Sequence, residues 1–256
     1  MTGVALQCRA SVAACLALFA LGQAHAAGCL FAVQGEGRVA AVIDARSFRL
    51  DDGREIRLAG IEPADADKAK GTAALAAVIA GHDVTLHGDD DTPDRYARQT
   101  AFVFVAETPA QSELLRRGEA LFAADVADKD CAGTLAAAEA DAIKAKIGIW
   151  SAPTAIKNAE SPGDILAGIG RFTVVEGKVL SVRQTGATTY LNFGRNWTQD
   201  FAATISRRMI PALEAAGLSP KSLENRRIRV RGYVWLRGGP RIELLRVGQI
   251  EVLGGK

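Results

Sequence analysis

Ser47-Phe48-Arg49-Leu50-Asp51-Asp52-Gly53-Arg54-Glu55-Ile56-Arg57-Leu58-Ala59-Gly60-Ile61-Glu62 is the stretch on which the fold of this chain turns. Ser47–Leu50 and Ile56–Ile61 read as strands, with apolar and polar residues alternating over Ser47–Leu50 and Ile56–Leu58. Between them Asp51-Asp52-Gly53 is a hairpin signal, because glycine takes the positive φ of such a turn without steric cost. Upstream, Arg38–Ile43 reads as a further strand, joined by a turn at Asp44-Ala45-Arg46. A three-strand meander follows.

Working outward, Ala66–Ile79 is rich in Ala and Lys and is stopped by Gly81, which predicts a helix. Asp83–Leu86 and Gln99–Val105 predict two more strands around an acidic loop at Asp89–Asp94. Helices are expected at Gln111–Arg117, ended by Gly118, and at Thr134–Lys146, ended by Gly148. The order is three strands, a helix, two strands, then helices. It predicts a mainly β, α+β unit built on a five-stranded barrel of the oligonucleotide/oligosaccharide-binding type.

The chain has 256 residues, of which 48% are hydrophobic and 23% charged, with a formal net charge of +2. Such a composition excludes a disordered chain and a polytopic membrane protein. Residues 1–26 read as a signal peptide. Arg9 is the only charge before Glu36, Ser11–Gly22 is an apolar run, and Ala24-His25-Ala26 supplies a small-x-small cleavage pattern. The run is too short to span a membrane. Export is therefore expected, to a periplasm or beyond it.

Export leaves Cys29 and Cys131, since Cys8 and Cys15 depart with the signal. In an oxidising compartment they make one disulfide most simply. The alternative is a lipid anchor on Cys29, because Ala26-Ala27-Gly28-Cys29 resembles a bacterial lipobox, although Ala26 stands where that motif has Leu.

Charge divides what remains. Residues 27–164 hold 15 Lys/Arg against 23 Asp/Glu, whereas residues 165–256 hold 15 against 6. The boundaries expected are a first domain over 27–151, a linker over 152–169 marked by Pro153 and Pro162, and a basic domain over 170–256. In the basic part, Phe172–Val182, Thr188–Phe193, Phe201–Ile205, Ile228–Trp235, Arg241–Leu244 and Gln249–Leu253 read as strands, with a helix at Arg207–Ala216. A second small barrel-like domain is expected.

Several stretches of the first half resemble the staphylococcal nuclease (thermonuclease) family. They are Ser47–Gly53, Ile56–Glu62, Asp94-Arg95-Tyr96-Ala97-Arg98, Glu113–Gly118, and Ala138-Glu139-Ala140 through Gly148-Ile149-Trp150-Ser151, in the family's order and spacing. The resemblance spans residues 36–151 and does not reach residues 165–256. It implies hydrolysis of DNA or RNA phosphodiesters by a calcium ion, two arginines and a carboxylate. Calcium takes hard oxygen ligands and polarises the phosphoryl oxygen. Guanidinium forks match the phosphate, and the carboxylate orients or deprotonates water.

Carried over, the resemblance makes Arg57 and Arg98 the catalytic arginines, Asp65 the carboxylate in place of the family's Glu, and Glu62 and Asp44 the metal ligands. It departs at Arg46, which stands where the family has a second calcium-binding Asp. A unit charge pair about 4 Å apart is worth roughly 4 kcal/mol at an effective dielectric near 20. Replacing −1 by +1 beside a +2 ion therefore shifts the balance by up to about 16 kcal/mol, against a total of about 4–8 for micromolar to millimolar binding. Three readings remain open: a degenerate nuclease with an anion pocket at Arg46, Arg57 and Arg98; an active enzyme with a shifted divalent ion; and a structural or protein-binding module.

In the basic half, Arg227, Arg229 and Arg231 share one face of a strand that continues to Tyr233 and Trp235. Such a stripe suits a phosphate backbone, with Tyr190, Tyr233, Trp197 or Trp235 for base stacking. Equally, it suits docking onto the acidic first half.

Overall fold

The computed structural model describes residues 28–29, 31–64 and 67–254. The signal peptide expected over 1–26 and Asp65 lie outside the described residues. The elements are β1 (Val33–Asp44), β2 (Ser47–Leu50), β3 (Glu55–Leu58), β4 (Ile61–Pro63), α1 (Lys68–Ile79), β5 (Asp83–His87), β6 (Arg98–Val105), β7 (Thr108–Pro109), α2 (Ala110–Arg116), β8 (Ala120–Phe122) and α3 (Lys129–Ala145). They continue with β9 (Ile156–Asn158), α4 (Pro162–Leu166), β10 (Phe172–Lys178), β11 (Ser181–Thr185), β12 (Thr188–Asn192), β13 (Ala202–Ser206), α5 (Ile210–Ala215), β14 (Arg227–Arg237), β15 (Gly239–Leu244) and β16 (Ile250–Leu253). The protein is mixed α+β and rich in strands.

The hairpin of the opening stretch forms as its alternation demands. Phe48 and Leu50 of β2 and Ile56 and Leu58 of β3 point inward and are buried, while Arg49 and Arg57 point out. Strand pairing runs β3-β2-β1-β5-β6, and β3 also pairs with β6 in parallel, so these five strands close on themselves. The apolar residues enclosed by that ring form one core with Leu75 and Ile79 of α1, Leu114 and Leu115 of α2, and Leu135 of α3.

A second, shorter pairing fixes the site described below. β4 runs antiparallel to β8, which sets Glu62 opposite Leu121. The three-residue strands are too short to show a period in sequence. Two glycines lock the neighbouring chain ends together. Gly118 and Gly148 both take positive φ, and a Cβ on Gly118 would lie 2.5 Å from the Ile147 carbonyl oxygen. Only glycine admits that approach, which lets the Ile149 amide donate to the Gly118 carbonyl at 3.0 Å.

Helix boundaries differ from the sequence expectation at one informative place. α3 begins at Lys129 rather than at Thr134, because the Asp128 carboxylate caps it by accepting from the Cys131 amide at 2.8 Å. Cys131 therefore sits in the first turn of the helix rather than before it. It is bonded to Cys29 in a disulfide.

The stretch 152–169, read as a linker, is built into the second half. β9 pairs in parallel with β10, and α4 follows it. The second sheet runs β11-β12-β13-β15-β14-β10-β9. β10 and β11 are two parts of one run, broken only at Val179 and Leu180. Those two residues keep the pairing alive through amides bonded to Arg226 and Asn192. The order of pairings thus repeats that of the first half, including a parallel partnership, β13 with β15, at the place where β3 meets β6. Phe201, Ala203, Ile205, Ile228, Val230, Val234, Ile242 and Leu244 fill its centre.

Candidate functional site

The turn Asp44-Ala45-Arg46-Ser47 joins β1 to β2, and it is closed by the Asp44 carboxylate. Oδ1 of Asp44 accepts from the Arg46 amide at 2.9 Å, a local bond that short acids favour in turns. The Arg46 carbonyl accepts from the Leu58 amide at 2.8 Å, which lays the turn against β3. Its side chain is thereby aimed at β4. Nη1 of Arg46 lies 2.6 Å from Oε1 of Glu62 and donates to the Ile61 carbonyl at 2.9 Å. Both side chains are nearly enclosed, 12% and 11% exposed.

Glu62 has a second partner, supplied by the far half of the chain. The Tyr233 hydroxyl donates to its Oε2 at 2.7 Å. Burial, reinforced by the Glu62 carboxylate, holds the Tyr233 phenol above its ordinary value of 10.0. Each oxygen of Glu62 is thus engaged, one by a cation and one by a hydroxyl.

These groups line a cavity of about 650 Å³ between the two halves. Asp44, Arg46, Arg57, Glu62 and Lys68 come from the first half, and Lys157, Arg171, Phe172 and Tyr233 from the second. Arg57 faces outward from β3, opposite Thr100 of β6 and Ser47 of β2. Among the described residues it makes no ion pair, and neither do Lys68, Lys157 and Arg171. The cavity therefore presents unneutralised cations around a pair, Arg46 and Glu62, that has cancelled itself.

Arg98 belongs to the rim rather than the cavity. Its Nη2 lies 2.8 Å from Oδ2 of Asp94, and the same carboxylate accepts from its Nε and backbone amide. The guanidinium also lies over the Tyr96 ring, 5.0 Å from its centroid. Bonding to Arg98 holds the Asp94 carboxyl below its ordinary value, and Asp94 in turn raises Arg98, with Glu55 and Asp44 adding to the field. The structure thus gathers Asp44, Glu62 and Arg57, with Arg46, and sets Arg98 beside them. Asp65 lies outside the described residues.

Residues 56–152 match the model of a family described as staphylococcal nuclease homologue. That stretch is a domain of this family. No curated protein matches the chain. The matched stretch begins beside Arg57 and ends just past Trp150, so it holds Arg57, Glu62 and Arg98 and stops short of every residue of the second half that enters the cavity.

Calcium is the metal that resemblance to staphylococcal nuclease implies, and the donors among the described residues do not fit it. One oxygen of Glu62 is covered by a guanidinium, the other by Tyr233, and Oδ1 of Asp44 is spent on its own turn. Among the described residues, no group of three or more His, Cys, Asp or Glu is placed so that it could hold a metal ion.

The arginine stripe of the basic half is placed differently from a nucleic-acid track. Its three arginines do share one face of β14, but each meets an acid. Arg227 lies 3.7 Å from Glu176, Arg229 is paired with Glu176 and with Glu251, and Nη1 of Arg231 lies 2.6 Å from Oε2 of Glu139 in α3. Arg231 also donates to the Phe122 carbonyl at 2.9 Å and lies over the Phe122 ring. Tyr233 is the cap on Glu62, and Trp235 stays in solvent, 59% exposed. No local sequence signal marks Glu139 as the partner of Arg231, or Lys157 and Arg171 as lining a cavity with residues of the first half, since each relation crosses the boundary between the halves.

Proposed function

We propose that the protein is an exported member of the thermonuclease family that binds phosphate groups or nucleic acid through a metal-free anion pocket, its hydrolytic site being degenerate. In this reading both closed strand orders are barrels of the oligonucleotide-binding type, one carrying the pocket wall with Arg57, the other covering it. The ion pair of Arg46 with Glu62 carries the reading. It substitutes a fixed positive charge for a divalent ion at Glu62, the carboxylate of the site that faces the second half. Arg57, Lys68, Lys157 and Arg171 then supply the attraction for an anion. Export is supported by the Cys29–Cys131 disulfide, a bond that persists in oxidising compartments.

The test is a thermal shift and a cleavage assay on the chain from residue 27 onward. Calcium should leave the melting temperature unchanged, because a ligand that does not bind the folded state does not stabilise it. Inorganic pyrophosphate or a short oligonucleotide should raise it, and Arg57→Ala should abolish that rise. Arg46→Asp should acquire a calcium-dependent rise. Cleavage of DNA by the unaltered chain that depends on calcium and stops with a chelator would sink the proposal.

A further inference from the structure

Apart from the cavity and the acid-facing arginines of β14, further cations and exposed aromatic rings lie on the outward face of the second sheet. On β12, Thr189 and Leu191 are buried and Tyr190 points out. On β13, Ala203 and Ile205 enter the core while Ala202 and Thr204 face outward. On β15, Ile242 and Leu244 are buried and Arg241 and Glu243 face out. Register fixes the neighbours: Tyr190 pairs with Arg183 of β11 and with Thr204, and Arg241 pairs with Ala202 and with Trp235 of β14.

The outward residues of β13 are small, so this strand is the floor of a trough. Tyr190 and Arg183 stand on one side of it, Arg241 and Trp235 on the other. Because Ala202 does not block the way, the Arg241 guanidinium reaches across to lie 5.1 Å from the centre of the Tyr190 ring. Trp197 stands beside the β14–β15 hairpin, where its carbonyl is 3.5 Å from a Cβ built on Gly238, and it is 71% exposed. Among the described residues, Arg183, Arg195, Arg237 and Arg241 have no ion-pair partner. Glu243 is the acid that shares the strand face with them.

We propose that this face binds single-stranded nucleic acid, with bases stacking on Tyr190, Trp235 and Trp197 and phosphates held by Arg183, Arg237 and Arg241. The proposal rests on the nucleic-acid reading given above and names the form of nucleic acid and the surface it uses. A duplex hides the flat faces of its bases, whereas a single strand offers them to exposed rings, and stacking accepts any base. Trp235 lies two residues along β14 from Tyr233 with Val234 buried between them, so the trough begins about 7 Å from the residue that closes the cavity.

The test is fluorescence anisotropy of a labelled oligothymidine of about 20 nucleotides, long enough to cover one such barrel, with the chain from residue 27 onward. At low salt the unaltered chain should bind, and the affinity should fall steeply as salt rises, because phosphate contacts release counterions. Trp235→Ala and Tyr190→Ala should each weaken binding about tenfold or more at unchanged melting temperature. Lys144→Ala, which removes an exposed cation from α3, should change it less than twofold. No binding by the unaltered chain overturns the proposal. So does full affinity in both aromatic variants, or equal affinity for duplex DNA, which would mark a patch for polyanions in general. Arg57→Ala separates the two sites. If it abolishes oligothymidine binding while Trp235→Ala does not, the pocket stands and the trough falls.

Discussion

Arg231 of β14 and Glu139 of α3 form an ion pair 2.6 Å long whose side chains are only 8% and 3% exposed. Glu139 accepts from the Phe122 amide with its other oxygen at 2.8 Å, and Nε2 of Gln249 donates to the Arg231 carbonyl at 3.1 Å. A charge so enclosed cannot lose its partner cheaply. Arg231→Met should lower stability by about 3–5 kcal/mol, because Glu139 is left buried and unpaired. Adding Glu139→Leu should restore most of the loss. Urea unfolding of both variants checks this, and a single variant costing under about 1 kcal/mol refutes it.

Arg46→Met should behave similarly but less severely. Glu62 keeps the Tyr233 hydroxyl and a little solvent contact. A loss of about 1–3 kcal/mol is expected. Urea unfolding of this variant beside Arg231→Met checks the ranking, and a loss as large as that of Arg231→Met refutes it.

Tyr233 makes stability sensitive to alkali. Its phenol is held neutral in the folded chain by burial and by Glu62, above the ordinary value of 10.0 at which the unfolded chain ionises. The stabilisation it gives is therefore complete below about pH 10 and declines as the pH rises past that point. Tyr233→Phe should be less stable at neutral pH yet lose less between pH 9 and 11, roughly the range that brackets the free phenol. Parallel slopes for the two proteins would refute the coupling.

Cys29 and Cys131 are bonded across a separation of 102 residues. Closing a loop of that size removes about 4–5 kcal/mol of chain entropy from the unfolded state, an upper figure. Reduction, or Cys131→Ser, should lower the melting temperature by several degrees. Two free thiols under non-reducing mass spectrometry, or a diacylglycerol on Cys29, would contradict the bond.

The first ring was legible because its strands alternate with period two and its turns carry glycine or aspartate. Phe48, Leu50, Ile56 and Leu58 went inward for that reason alone. Arg46 was legible as a misfit by its charge. The position of Arg231 was legible only in part. Its face on β14 follows from alternation, but what covers that face is set by α3, about 90 residues earlier in sequence, as the separation of the pair shows. The excess of acid in one half and of base in the other held the signal for docking without naming a partner. The pairing of β4 with β8 left no signal, since three residues do not define a period.

The disulfide has one more consequence. Every strand of the first ring lies between Cys29 and Cys131, and every strand of the second lies beyond them. A protease that nicks the exposed acidic hairpin at Asp89–Asp91 would therefore release no fragment, since both pieces stay tethered through sulfur. The covalent loop also requires no residue beyond 131, so none of the strands of the second half belongs to it. The part of the chain that carries Arg46 and Glu62 is thus held closed by a bond in which its cover, Tyr233, has no share.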